Sequence, residues 1–254
     1  MKLAYIIFFL LFSFQYAYSA TENDSSLNAK IISTYDEAVN MIKNKKNQKQ
    51  AEEKLVKVVR ALELQKPINP HNIGSAYFYL WECNKKSEYA QKAKQYLLQA
   101  LLYKEAREYY STKDPSTYCL LGELCLFLKE YKASIGYFCK FLQIVKELKL
   151  NTNFSRVYRD VAIAYSKDKN YKNAIIYIKK SLEEFPDSKD LHQQINRIGL
   201  SLFHISFLIQ DNKKREAQPQ LNQLRIQLSK LPQDNVTVKK IFKQCDVFQK
   251  DISN

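Results

Sequence analysis

Apolar positions three and four residues apart run through most of this chain and predict amphipathic helices from Ala29 onward. Ile31, Tyr35, Ala38, Val39 and Ile42 share one side of a first helix. After a polar connector at 43–49, Ala51, Leu55, Val58, Val59 and Leu62 form the stripe of a second, which ends before Pro67. The segments 70–86 and 88–110 predict the next pair, with Ala76 and Tyr79 on one helix and Ala93, Leu97, Ala100 and Leu101 on the other. Asp114-Pro115 starts a further helix, Asp as N-cap and Pro in the first helical position. The stretch from Ser155 to Pro186 is the clearest of all: two short helices with one turn between them, stopped by a proline that cannot donate a helical hydrogen bond. Beyond it, Asp187 or Ser188 caps a long helix through Gln210. Another runs from near Gln218, which puts Pro219 in its first turn, to Leu231. A last one spans 235–252, with Val238, Ile241, Phe242, Cys245 and Phe248 on one face.

Within 155–186, Tyr158, Val161-Ala162, Tyr165, Ala174, Ile178, Ser181 and Pro186 fall in an order that resembles the tetratricopeptide repeat, a unit of about thirty-four residues. There an aromatic residue is followed by Leu-Gly, Tyr, Ala, Phe, Ala and Pro. Tyr118, Leu121-Gly122, Cys125, Tyr131, Ser134, Phe138 and Phe141-Leu142 follow the same order, and Ile198-Gly199 with Leu202 imitates its first half. Ala76 to Ala93 is 17 residues where Ala162 to Ala174 is 12, which implies a longer first helix or turn in that pair. The resemblance implies an all-α, TPR-like right-handed superhelix of antiparallel helix pairs, an α-solenoid of about 10–11 helices over residues 29–254. Its clearest repeats are 115–150 and 155–188, and the helix at 235–252 caps the array.

Composition agrees with helices: 254 residues hold only 4 Gly and 6 Pro, too few for the turns of a β-rich chain. It also adds an address. Lys2, the apolar run Leu3 to Phe14 and the small residues of Ala17-Tyr18-Ser19 predict a secretory signal peptide, residues 1–19, cut after Ser19. Residues 20–28 read as a flexible leader. An exported chain is periplasmic or cell-envelope in a bacterium and enters the secretory pathway in a eukaryote. Loss of Lys2 with that peptide lowers the net charge from +14 to +13. Outside the cytosol such a charge faces anionic lipid, cell-wall polymer or acidic protein rather than nucleic acid. The lysines are spread over short clusters at turns and helix ends, as on solvated helix faces.

Chemistry is sparse. His71, His192 and His204 have no nucleophile or carboxylate at suggestive spacing, and there is no Gly-rich phosphate loop and no G-x-S-x-G. The five cysteines form no C-x-x-C and have no His at ligand spacing, so they read as small buried apolar side chains, with no metal and no cofactor. The chain reads as a non-enzymatic scaffold, a monomer on its own, with at most peripheral membrane association. The resemblance implies that first helices line a concave face for a protein or peptide partner. Here that face comprises Tyr77, Trp81, Glu123, Phe127, Arg156, Arg159, Ile163, Ser166, Asn196 and Phe203, aromatics and arginines being the usual anchors of an interface. The basic clamp by which some such proteins grip a C-terminal carboxylate is absent, since Ile73, Tyr77 and Leu120 occupy the corresponding places. The rival reading is a basic envelope protein attached to anionic lipid or polymer, whose binding would collapse with salt where aromatic anchoring would not.

Overall fold

Five helix hairpins and a closing helix make up the computed structural model, which describes residues 22–66, 68–106, 115–150 and 152–253. The eleven described helices are α1 Glu22–Lys43, α2 Gln48–Leu64, α3 Pro70–Asn84, α4 Ser87–Ala106, α5 Ser116–Phe127, α6 Tyr131–Glu147, α7 Ser155–Lys167, α8 Tyr171–Glu184, α9 Leu191–Gln210, α10 Lys214–Ser229 and α11 Val236–Ser253. They form two compact units, divided between Thr152 and Asn153. Residues 1–19, where a signal peptide is expected, and the expected N-cap Asp114 lie outside the described residues.

One register governs the hairpins. The fourth residue of every second helix is small and fully buried: Ala51, Ala90, Ser134, Ala174 and Ala217 each show 0% exposure. A small side chain at that place lets the first helix approach closely, because interaxial distance is set by the side chains at the contact. One turn later Leu55, Phe138, Ile178 and Leu221 fill the wedge at 0% exposure. In α4 that place falls to Lys94, which Glu130 neutralises. Ala90 rather than Ala93 is therefore the counterpart of Ala174. Measured to Ala90 the spacing from Ala76 falls from 17 residues to 14, so most of the excess over 12 reflects the wrong alanine; both are buried and only the helix start separates them.

The turns between paired helices use lysine where glycine is the common choice. Lys85, Lys129, Lys169 and Asn212 stand two residues before a second helix with φ of 57°, 63°, 61° and 56°. After three of them the next residue's N–H reaches back five residues, Glu130 to Cys125, Asn170 to Tyr165 and Lys213 to Leu208, each at 2.8 Å. These are Schellman closures, which satisfy carbonyls left over at a helix end. No described glycine has a positive φ. The glycines serve packing instead: a Cβ on Gly122 would lie 2.7 Å from the Phe138 ring, and one on Gly74 would lie 2.7 Å from Leu97. Gly199 has nothing within 4 Å, so the Ile198-Gly199 dipeptide is no close-approach site.

Three boundaries differ from expectation. Helix α1 begins at Glu22, so most of the stretch read as a leader is helical, and Gln65 Nε2 donates to Asn28 Oδ1 at 2.6 Å to hold it. The cap of α9 is Asp190, which accepts from Gln193 N–H at 2.9 Å, while Ser188 accepts from Asp190 N–H. Helix α10 starts at Lys214 and carries Pro219 in its interior. Both Pro219 and Arg215 are exposed, so the hydrogen bond that Pro219 cannot donate is lost on the outer side of α10.

In the first unit α3 packs on α1, α2, α4 and α5, and twelve of its fifteen residues are buried. In the second, α8 packs on α7 and α9, and α11 covers both α9 and α10. Val238, Ile241, Cys245 and Phe248 of α11 are the buried stripe that closes this core.

Candidate functional site

Because α3 is enclosed, its two expected partner-facing residues belong to the core: Tyr77 is 5% exposed and Trp81 6%. The Tyr77 hydroxyl donates to Glu63 Oε1 at 3.0 Å, and Tyr96 donates to the same oxygen at 3.2 Å. The two rings stack with centroids 5.8 Å apart and planes at 10°, and Lys92 Nζ sits 5.2 Å from the Tyr77 ring centre. Burial first, then the bond to Glu63, pushes the Tyr77 phenol well above its ordinary value. Tyr77 thus ties three helices together, a structural duty that its position on a first helix does not announce.

Trp81 lies between Phe78 at 5.2 Å and Phe127 at 5.1 Å, with Lys85 Nζ 4.1 Å from its ring centre. Its Nε1 is buried and finds no acceptor among the described residues. Phe127, the last residue of α5, closes this cluster and remains 37% exposed. Glu123, one turn earlier on α5, is half-buried. What the first unit presents from the predicted face is the Phe127 edge and Glu123.

In the second unit the structure brings Arg156 and Arg159 together on Asp160, a residue the sequence reading passed over. Arg159 Nε and Nη2 lie 2.9 and 2.8 Å from Asp160 Oδ1, and Arg156 Nε lies 4.0 Å from Oδ2. Asp160 is 7% exposed. Burial pushes its carboxyl up, and the charge of Arg159, its hydrogen bond and then Arg156 pull it back. Spacing alone gives the signal: Arg156 and Asp160 are an i,i+4 pair on one helix. Arg159 is a counter-ion first, whereas the Arg156 side chain is 60% exposed. Ile163 and Ser166 are half-buried, Asn196 is exposed, and Phe203, at 39% exposure, stacks on Phe207 at 6.0 Å.

Other polar groups inside the fold are structural. Lys94 grips both Glu130 oxygens, which holds that carboxyl below its usual range, and the Cys125 thiol beside it is pushed up to about 12 by burial and then by its bond to Glu130. Among the described residues no group of three or more His, Cys, Asp or Glu is placed to hold a metal ion, and no helix is long and apolar enough to cross a membrane.

No protein-family model matches the chain, and no curated protein sequence is similar to it. Solved structures are similar in fold. BtubC (BKLC) from P. vanneervenii matches with TM-score 0.56 and 13% identity over 85% of this chain and 96% of its own. A putative kinesin light chain of Podosopora anserina with nearly identical TPR-like repeats matches with TM-score 0.58 and 14% identity over 81% of this chain and 98% of its own. Pseudomonas aeruginosa pilF matches with TM-score 0.54 and 13% identity over 87% and 88%. With the hairpin register above, these likenesses define an all-α TPR-like repeat fold of sequential antiparallel helix pairs.

Proposed function

We propose that this chain is a non-enzymatic scaffold that holds a protein or peptide partner on the exposed faces of its first helices, after export into the cell envelope or secretory pathway. The observation that carries the reading is what packing leaves uncovered there. Phe127 presents an aromatic edge backed by buried Trp81, and the Arg156 guanidinium stands largely in solvent beside Asp160. A rigid aromatic on a packed base and an oriented arginine are the anchor types that dominate interface energies. The N-terminal apolar run followed by Ala17-Tyr18-Ser19 supports export.

A photo-crosslinking residue placed in turn at 127, 156 and 176 tests the site, because Ile176 is 50% exposed on a second helix and serves as control. Partner crosslinks from 127, from 156 or from each, and not from 176, are expected; equal labelling from all three overturns the reading. N-terminal sequencing of the native protein should begin at Ala20, and retention of Met1 or Lys2 would exclude export by cleavage.

A further inference from the structure

Three Asn-X-Ser/Thr triplets, the acceptor motif for an N-linked glycan, occur in the chain: Asn23-Asp24-Ser25, Asn153-Phe154-Ser155 and Asn235-Val236-Thr237. Transfer asks two things of such a triplet. The asparagine amide nitrogen must be free to take the sugar, and the hydroxyl two residues on must be within a transferase's reach. A surface turn meets both needs. The first triplet lies inside helix α1. The other two stand just before helices, in opposite surroundings.

At Asn153 both groups are committed. Its Nδ2 donates to the Glu184 carbonyl at 2.5 Å, and its Oδ1 accepts from Ser155 N–H at 3.0 Å. The Phe154 N–H donates to Glu184 Oε2 at 2.7 Å, which ties the triplet to the end of α8. Ser155 is 4% exposed, and its hydroxyl donates to the Ser181 carbonyl. A sugar on Asn153 would press on the end of α8, and the hydroxyl is out of reach once α7 and α8 have paired.

At Asn235 both are open. The triplet lies where the turn from α10 enters α11, with Pro232, Gln233, Asp234 and Thr237 exposed and Val236 66% exposed. Asn235 Oδ1 caps α11 by accepting from Thr237 N–H at 2.9 Å and from Val238 N–H at 3.3 Å. Its Nδ2 and the Thr237 hydroxyl make no hydrogen bond among the described residues. The cap also survives modification. Glycosylation exchanges one Nδ2 hydrogen for carbon and leaves Oδ1 an acceptor.

We propose that Asn235 is an N-glycosylation site and that Asn153, despite the same motif, is not one. The donor is a lipid-linked oligosaccharide diphosphate, and the reaction is a substitution with no change of oxidation state. The bond from Asn235 Nδ2 to the sugar C1 forms, and the C1–O bond to the diphosphate breaks. The lipid diphosphate leaves, and one amide proton passes to a base on the transferase. The inference rests on the export reading in its secretory-pathway form, because the transferase acts there.

The test expresses the full chain in cultured insect cells, recovers it from the medium and maps its peptides after enzymatic deglycosylation, which converts each glycosylated Asn to Asp. Conversion at Asn235 in most molecules and none at Asn153 is expected. Thr237→Ala, which keeps the Asn235 cap, should lose the conversion, and Thr237→Ser should retain it. An exported chain bare at Asn235, one modified at Asn153, or conversion unaffected by Thr237→Ala overturns the proposal while export stands. A chain that stays in the cells with Met1 retained sinks the export reading instead. Residues 20–254 behind an established secretory leader then decide the site: Asn235 modified there sustains it, and Asn235 bare overturns it.

Discussion

Ser155 and Ser181 each give the other's backbone a hydrogen bond. Ser155 Oγ donates to the Ser181 carbonyl and Ser181 Oγ to the Ser155 carbonyl, both at 2.7 Å, and the two residues are 4% and 0% exposed. The first residue of α7 is thereby fastened to the last turn of α8, where a hairpin is widest and most prone to fray. Ser181→Ala should cost about 1–2 kcal/mol, the worth of a buried hydrogen bond whose acceptor loses its partner. The double variant with Ser155→Ala should lose less than the sum of the singles, because both act on one contact. Urea midpoints of the three variants measure this, and strict additivity would show that the hydroxyls work independently.

Two glycines should answer the same substitution with opposite signs. At Gly122 a methyl group would lie 2.7 Å from the Phe138 ring, a side chain at 0% exposure that has nowhere to retreat. Gly122→Ala should destabilise by about 1–3 kcal/mol. At Gly199 the space is open, so Gly199→Ala should stabilise by about 0.5–1 kcal/mol, the helix-interior penalty of glycine. Thermal melts of the pair provide the comparison.

Lys169 holds the left-handed region at φ 61° between α7 and α8. That conformation costs an L-residue about 1–2 kcal/mol, while glycine there costs roughly 0.5–1 kcal/mol in extra chain entropy. Lys169→Gly should therefore raise stability by about 0.5–1 kcal/mol by relieving the larger of these costs. An unchanged or lower melting temperature would mean that the lysine side chain has another role in the turn.

His204 is 7% exposed on α9, and its Nε2 has no partner among the described residues. Burial first and then Lys179 on α8 lower its pKa to about 4, against a smaller opposing pull from Glu216 on α10. The fold prefers the neutral ring, whereas the unfolded chain takes up a proton below about 6.5. The stability contributed is whole above that pH and is lost as pH falls towards about 4, a loss on the order of 2–3 kcal/mol. Asp36 and Asp160, whose carboxyls are raised by burial, titrate with the opposite sign, so the measurement is a difference. His204→Asn should flatten the acid limb of the stability curve between pH 6.5 and 4 relative to the parent, and parallel curves would remove His204 from the account.

Helix existence, pairing and repeat class were legible because they rest on local chemistry. Periodic apolar stripes, prolines at 70 and 186 and small residues at one offset all act within a turn or two of themselves. Even the misplacement at Ala93 came from choosing between two alanines three positions apart. Helix ends were harder, because lysine and not glycine closes the turns, and a lysine carries no conformational label.

The candidate site was decided elsewhere. Tyr77 and Trp81 occupy first-helix positions indistinguishable by spacing from Phe127 and Phe203, yet α1, α2, α4 and α5 enclose α3 and make both of them core. Arg156 and Arg159 look alike in sequence, and only their contacts with buried Asp160, at 4.0 Å and 2.8 Å, separate the more exposed side chain from the more closely held one. Periodicity tells which side of a helix is apolar. How many neighbours cover that helix depends on contacts between residues far apart along the chain, and these exist only once the hairpins have packed.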